Sequence, residues 1–246
     1  MANWTDAATM ASVDDGAGDA IPCHISEPGG ELRGLVLLIH GRNGAAAQPQ
    51  IDEIARAYLA RGWQVAAPDL PASLVLPGSD APQDPTMTDH LDSARRVLNW
   101  LRSLRQSPRF ALAGHSLGAY AGAMLAGDAG DLHHLLAVSP ALSGRALLAA
   151  RRAMGPAAIA DLESEAPRMR AEMEACDAGP ALARLDAPVA VLTGAPDGLT
   201  PPRFARAYFA SAAEGRFYAT IPGQHHCPTG PVTARLLEAA LDAVEA

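Results

Sequence analysis

Phe110-Ala111-Leu112-Ala113-Gly114-His115-Ser116-Leu117-Gly118-Ala119 is the stretch on which the fold of this chain turns. Phe110 to Ala113 has the length and apolar character of a short buried strand, and from about Leu117 to Ala126 the sequence reads as a helix. Between them Gly114-His115-Ser116-Leu117-Gly118 fits the pattern Gly-x-Ser-x-Gly, a sharp strand-to-helix corner with serine at its apex. The serine backbone in such a corner is strained. Side chains two positions to either side would collide with the neighbouring strand and helix, so glycine is needed at both places. Gly118, Ala119, Ala121, Gly122 and Ala123 then allow the helix to lie close against a sheet.

Working outward, Leu35 to Ile39 is a continuous apolar run ending in His40-Gly41, as expected of a central strand covered on both faces. Ile51, Ile54, Ala55, Tyr58 and Leu59 recur at helical spacing before Gly62, and Trp63 to Ala67 reads as a strand closed by Pro68. Asp69 to Pro85 is rich in Pro, Gly, Ser and Asp, which predicts a long loop and a pocket wall. Leu91, Ala94, Leu98, Leu101 and Leu104 mark the helix that precedes the opening stretch. Beyond it come strands at Leu135 to Val138, Val189 to Leu192 and Phe217 to Ile221, with helices near Arg203 to Ala213 and from Val232. This alternation specifies an α/β fold with a mostly parallel central sheet and helices on both faces.

Two segments stand outside the alternation. Residues 1–33 hold a hairpin signal at Asp15-Gly16-Ala17-Gly18, assigned to an antiparallel N-terminal edge. Residues 141–187 hold two helix-like pieces, Arg145 to Met154 and Ala157 to Ala175, expected to form a small helical lid within a single domain spanning 1–246.

Composition narrows the function classes. The formal charge of -8, with 27 acidic against 19 dispersed basic residues, all of them Arg, argues against nucleic acid or an anionic membrane as partner. Three cysteines are too few for a disulfide framework, no signal peptide begins the chain and no apolar run approaches a membrane span, so a cytoplasmic location is expected. The pairs His133-His134 and His225-His226-Cys227 lack metal-ligand spacing, since neighbours on a strand point to opposite faces. No Gly-x-Gly-x-x-Gly follows the first strand and no phosphate loop is present, so neither a metal nor a cofactor is expected.

A serine at the corner becomes a nucleophile only if a base takes its proton, and that base needs a carboxylate to fix its tautomer. In folds with this corner the order along the chain is serine, acid, histidine, each at the carboxyl end of a strand. Asp197, in the turn Ala195-Pro196-Asp197-Gly198 after a buried strand, suits the acid; Asp177 and Asp186 are poorer candidates. Pro222-Gly223-Gln224-His225-His226 follows the last strand and offers two competing histidines as base. The oxyanion formed on attack needs backbone N–H groups already in place. Leu117 supplies one, and His40-Gly41-Arg42-Asn43-Gly44 the other, with Arg42 first and Asn43 next.

His40 to Gly44, Gly114 to Gly118, Gly194 to Pro201 and Gly223 to Pro228 together resemble the α/β-hydrolase superfamily, in the branch of small carboxylesterases, dienelactone-hydrolase-like enzymes and polyester hydrolases. The resemblance extends over most of the chain from Leu35 onward and implies a serine esterase acting on a small-molecule ester without a cofactor. The last loop of that family often reads Gly-x-x-His, similar to Gly223-Gln224-His225-His226, which implies His226 as base and His225 as the alternative. Where the family often has Pro-Gly-x-Gly, this chain has Asp69-Leu70-Pro71-Ala72-Ser73, which implies a differently shaped acyl pocket. One fold hosts many chemistries, so C–C bond hydrolysis or acyl transfer on the same residues stands as an alternative. A non-catalytic ligand-binding protein is the reading from another class.

Overall fold

The computed structural model describes residues 2–71, 73–75, 85–104 and 109–246. Every residue of strand β3 (Gly34–Ile39) is buried, and its side chains alternate between two apolar cores: Leu35, Leu37 and Ile39 on one face, Val36 and Leu38 on the other. The same division recurs in β7 (Val189–Gly194), where Val189 and Val191 face one core and Ala190 and Leu192 the other. A sheet covered in this way needs helices on both sides, and it has them. Helices α1 (Pro49–Ala60) and α9 (Pro231–Glu245) cover one face with Ile51, Ile54, Tyr58, Leu237 and Leu241. Helices α2 (Met87–Leu104), α3 (Leu117–Leu125) and α8 (Pro202–Ser211) cover the other.

The remaining strands are β1 (Thr9–Asp14), β2 (Ala20–Ser26), β4 (Trp63–Pro68), β5 (Phe110–His115), β6 (Leu132–Val138) and β8 (Gly215–Ile221). The sheet order is β1-β2-β4-β3-β5-β6-β7-β8. β1 pairs antiparallel with β2, and β2 with β4; every pairing from β4 to β8 is parallel. The expected antiparallel N-terminal edge is therefore present, with its turn between Asp14 and Ala20. A short 3₁₀ helix, Trp4–Ala7, precedes it, capped at its start by Asn3 and Asp6. Strand succession reverses direction around β3 and β5, and at such a switch point the loops leaving adjacent strand ends separate and open a crevice.

Between β6 and β7 the chain leaves the sheet to form α4 (Gly144–Met154), α5 (Pro156–Glu165), α6 (Pro167–Glu172), a 3₁₀ turn at Met173–Ala175 and α7 (Gly179–Leu182). The expected single helix over Ala157 to Ala175 is thus broken. Pro167 lacks an N–H and restricts the residue before it, so Ala166 sits at φ -146°, ψ 62° and the chain turns there. The ends of this insert are drawn together by Gly144 N–H to Cys176 O (3.0 Å) and Ala178 N–H to Leu142 O (3.0 Å). Most of the predicted loop from Asp69 to Pro85, residues 72 and 76–84, lies outside the described residues.

The expectation that His133 and His134 point to opposite faces is corrected by a bulge. Phe110 pairs with Leu132 but Leu112 with Leu135, so β6 carries one extra residue there. Both rings then meet Trp63, and the two Nδ1 atoms lie 2.8 Å apart. His134 Nε2 lies 2.8 Å from the Tyr58 hydroxyl, so the pair belongs to the core between β6 and α1.

Candidate active site

Ser116 stands between β5 and α3 with φ 56° and ψ -118°, a backbone state that costs a non-glycine residue about 1–3 kcal/mol. Its surroundings hold it there: Ser116 N–H donates to Val138 O (3.0 Å), and Ser116 O accepts from Ala119 and Ala141 N–H (3.1 Å each). A Cβ on Gly118 would lie 2.0 Å from Ile39 O, and one on Gly114 would lie 2.3 Å from Gly118 O. The corner can form only with glycine on both sides of the serine, which places the Ser116 side chain at the carboxyl edge of the sheet.

The loops after β7 and β8 arrive at the same edge. Ser116 Oγ lies 2.9 Å from His226 Nε2, and His226 Nδ1 lies 2.9 Å from Asp197 Oδ2. A carboxylate only accepts, so Nδ1 carries the proton and Nε2 is left to accept from the serine hydroxyl. Burial alone would raise the Asp197 pKa. The His226 hydrogen bond and the attraction of its imidazolium form, with the Thr200 N–H and hydroxyl, outweigh that and hold it at about 2. Leu199 and Thr200 N–H donate to Asp197 Oδ1 at 2.9 and 3.0 Å, so this carboxylate is ionised and fixed.

His225 does not join the group. Its side chain is exposed and makes no hydrogen bond among the described residues. His226 is aimed inward because its carbonyl accepts the Nε2–H of His115 (2.8 Å), a ring that burial first, and repulsion by the imidazolium form of His226 second, keep neutral, with a pKa of about 3. Asp177 lies at the neck of the insert, where it caps Gly179 N–H, and Asp186 is exposed ahead of β7.

Leu117 is the first residue of α3, so its N–H has no intrahelical acceptor, and it lines the same cleft as Ser116 and Arg42. The loop bearing Arg42 is a tight turn, with Gly44 N–H to Gly41 O at 3.0 Å and Asn43 at φ 51°. Three buried groups brace it. His40 accepts Leu70 N–H at Nε2 (3.0 Å), which leaves Nδ1–H for Gly41 O (2.6 Å); His90 Nε2–H donates to His40 O (3.0 Å); and Asp69 accepts Ala46 N–H (2.8 Å). Burial holds His40 and His90 neutral.

The cleft above Ser116 has a volume of about 180 Å³. Its apolar wall is Leu147, Leu162, Met169 and Met173 from the insert, with Leu199 below. Among the described residues no group of three or more His, Cys, Asp or Glu side chains gathers as metal ligands do, and no helix is long and apolar enough to cross a membrane.

Residues 36–242 match the model of the family described as Alpha/beta hydrolase family. The chain belongs to the alpha/beta hydrolase family. No curated protein sequence matches this alpha/beta hydrolase significantly. Among solved structures it is similar to Est1E from Butyrivibrio proteoclasticus with ferulic acid bound, at TM-score 0.79 and 18% identity over 96% of this chain and 100% of that one. The esterase domain of a Rhodothermus marinus protein aligns at TM-score 0.70 and 15% identity, over 94% and 95% of the two chains. A puromycin-hydrolyzing peptidase of Mycobacterium tuberculosis aligns at TM-score 0.70 and 18% identity, over 96% of this chain and 38% of that one. At these identities the likeness is one of fold.

Sequence reasoning missed several groups in this hydrolase. Thr200 is 1% exposed, and its hydroxyl lies 2.8 Å from Asp197 Oδ2, 2.9 Å from Ser139 O and 3.3 Å from His226 Nδ1. The spacing Asp197-x-x-Thr200 was a usable signal, since an aspartate three residues before a threonine commonly caps its N–H. Ser139 at φ 45° gave none, because serine seldom occupies that region. The insert's share of the cleft depends on packing that no local pattern encodes.

Proposed function

We propose that this protein is a serine hydrolase that cleaves a carboxylic ester or similar acyl compound through an acyl-enzyme. The supporting observation is the line from Ser116 Oγ to His226 to Asp197, with both hydrogen bonds at 2.9 Å, opening into an apolar cleft. His226 takes the proton of Ser116 as its oxygen attacks the acyl carbon, and ionised Asp197 stabilises the imidazolium. Leu117 and Arg42 N–H hold the oxyanion. His226 returns the proton to the leaving group, then activates a water that releases the acyl group from Ser116. The insert serves as the lid over the acyl group. Esterases among the similar structures agree with this reading, while the puromycin-hydrolyzing peptidase shows that the fold also serves an amide-cleaving protein. Cys23, Cys176 and Cys227 are all free thiols, consistent with a reducing compartment.

The test is hydrolysis of 4-nitrophenyl butyrate by the wild-type chain and by Ser116→Ala. Turnover that disappears in the variant supports the assignment; turnover that persists in folded Ser116→Ala removes it.

A further inference from the structure

The cleft above Ser116 is apolar on most of its wall, yet two arginines open into it and no carboxylate does, among the described residues. In a chain of net charge -8 this local balance is unusual. Arg42 comes from the loop after β3 and reaches across to Glu165 at the end of α5, 3.7 Å away. Arg151 lies on α4 four residues after Leu147, so the two share one helix face, and both line the cleft.

Among the described residues, Arg151 lacks the acidic partner that several arginines of this surface have. Arg56, Arg61, Arg95, Arg170 and Arg216 each lie within ion-pair distance of an Asp or Glu. Arg151 has no ion pair or hydrogen bond to any described residue, although it is partly buried against the cleft wall. A guanidinium held beside an apolar wall offers its planar fork to a carboxylate, and in a cleft shielded from solvent that contact is stronger than at an open surface.

We infer that the substrate of this site carries an anionic group, a carboxylate at the end of an apolar spacer, and that Arg151 selects it. The inference rests on the serine-hydrolase reading for the fate of the ester, but the anion contact itself does not need catalysis. The spacer lies along Leu147, Leu162 and Met173 while the ester carbonyl meets Ser116. The competing account is that the methylenes of Arg151 merely cover Leu147 and its head points to water.

Two kinetic comparisons separate these. One sets mono-(4-nitrophenyl) adipate against 4-nitrophenyl hexanoate, with the charge on the acyl half. The other sets the hexanoate ester of 4-(hydroxymethyl)benzoate against that of its methyl ester, with the charge on the alcohol half. In at least one comparison kcat/KM favours the anion by about tenfold or more. Arg151→Gln lowers kcat/KM for that anionic ester by about ten- to a hundredfold and leaves its neutral partner within about threefold, as expected for loss of a charge-assisted bond; Arg151→Lys retains part of the preference. Equal kcat/KM for charged and neutral esters in both comparisons, or equal losses for both in Arg151→Gln, overturns the inference. Thermal unfolding with adipate gives a readout independent of turnover: adipate raises the wild-type Tm and not that of Arg151→Gln. If no ester is cleaved while this shift is seen, the hydrolase reading fails and the anion site stands; if adipate shifts both proteins equally or neither, the anion site fails.

Discussion

His225 and His226 are neighbours in sequence and face opposite surroundings, and a single carbonyl explains the difference. The buried ring of His115 binds His226 O, which turns the loop so that the second imidazole meets Ser116 and the first meets solvent. His226→Ala is expected to lower kcat by about 10³- to 10⁶-fold, the range for loss of a base acting with a serine, whereas His225→Ala stays within about threefold. Steady-state kinetics on one ester decides, and the opposite ranking would move the base to His225. Thr200 has one hydroxyl proton and two acceptors, Asp197 Oδ2 and Ser139 O. Thr200→Val keeps the shape and removes that proton, so kcat should fall about tenfold with KM little changed, the cost of one hydrogen bond to a charged group. At this scale Ser116 and Asp197 could be named in advance because each sits in a local pattern, a Gly-x-Ser-x-Gly corner and a post-strand turn. The choice between two adjacent histidines could not be made from strand and loop alone, because it depends on a contact 111 residues away.

Elements set where those residues can stand. The corner after β5 works because α3 lies against Ile39 O with nothing larger than hydrogen on Gly118. Gly118→Ala would need a shift of backbone and is expected to cost about 3 kcal/mol or more, read from chemical denaturation; a loss below about 0.5 kcal/mol would show that the close approach is not needed. The neck of the insert has a similar constraint, since a Cβ on Gly144 would lie 1.9 Å from Met173 O. Met173 lines the cleft, so Gly144→Val should raise KM as well as lower stability by about 1–3 kcal/mol. A KM unchanged in a destabilised variant would separate the neck from the site. Strands and helices of the sheet layers were legible because their apolar residues repeat at periods of 2 and 3.6 or run unbroken. The insert was legible only as helical: Pro167 divides it where periodicity alone predicts continuity, and the bulge at His133 breaks the alternation on which the opposite-face argument relied.

Over the whole molecule, burial of neutral histidines couples folding to pH. His90, His115 and His134 have pKa values lowered to about 3, chiefly by burial, and His40 is lowered too. The unfolded chain takes up protons at His90, His115 and His134 below about pH 6.5 and the folded chain does not, so stability falls as pH drops, by about 1.4 kcal/mol per pH unit for each of the three, with His40 acting in the same direction. Asp197, held at about 2, adds a further loss as pH falls from about 4 towards 2. Denaturant titrations should therefore show stability falling by about 3 kcal/mol or more between pH 7 and pH 5, with a shallower slope in His90→Gln. A flat profile over that range would mean that these rings are protonated in the fold. Such coupling was not legible in the sequence, because eight histidines in a chain say nothing of which are buried. The architecture was legible, since βα alternation and right-handed crossovers leave few ways to build the sheet. The central claim is that Ser116 is the reacting atom's owner, and reaction with a fluorophosphonate followed by peptide mass spectrometry tests it most directly. One phosphonyl group on the peptide containing Ser116, absent in Ser116→Ala and much slower to form in His226→Ala, is the predicted result; an unlabelled protein, or a label carried by another residue, would contradict it.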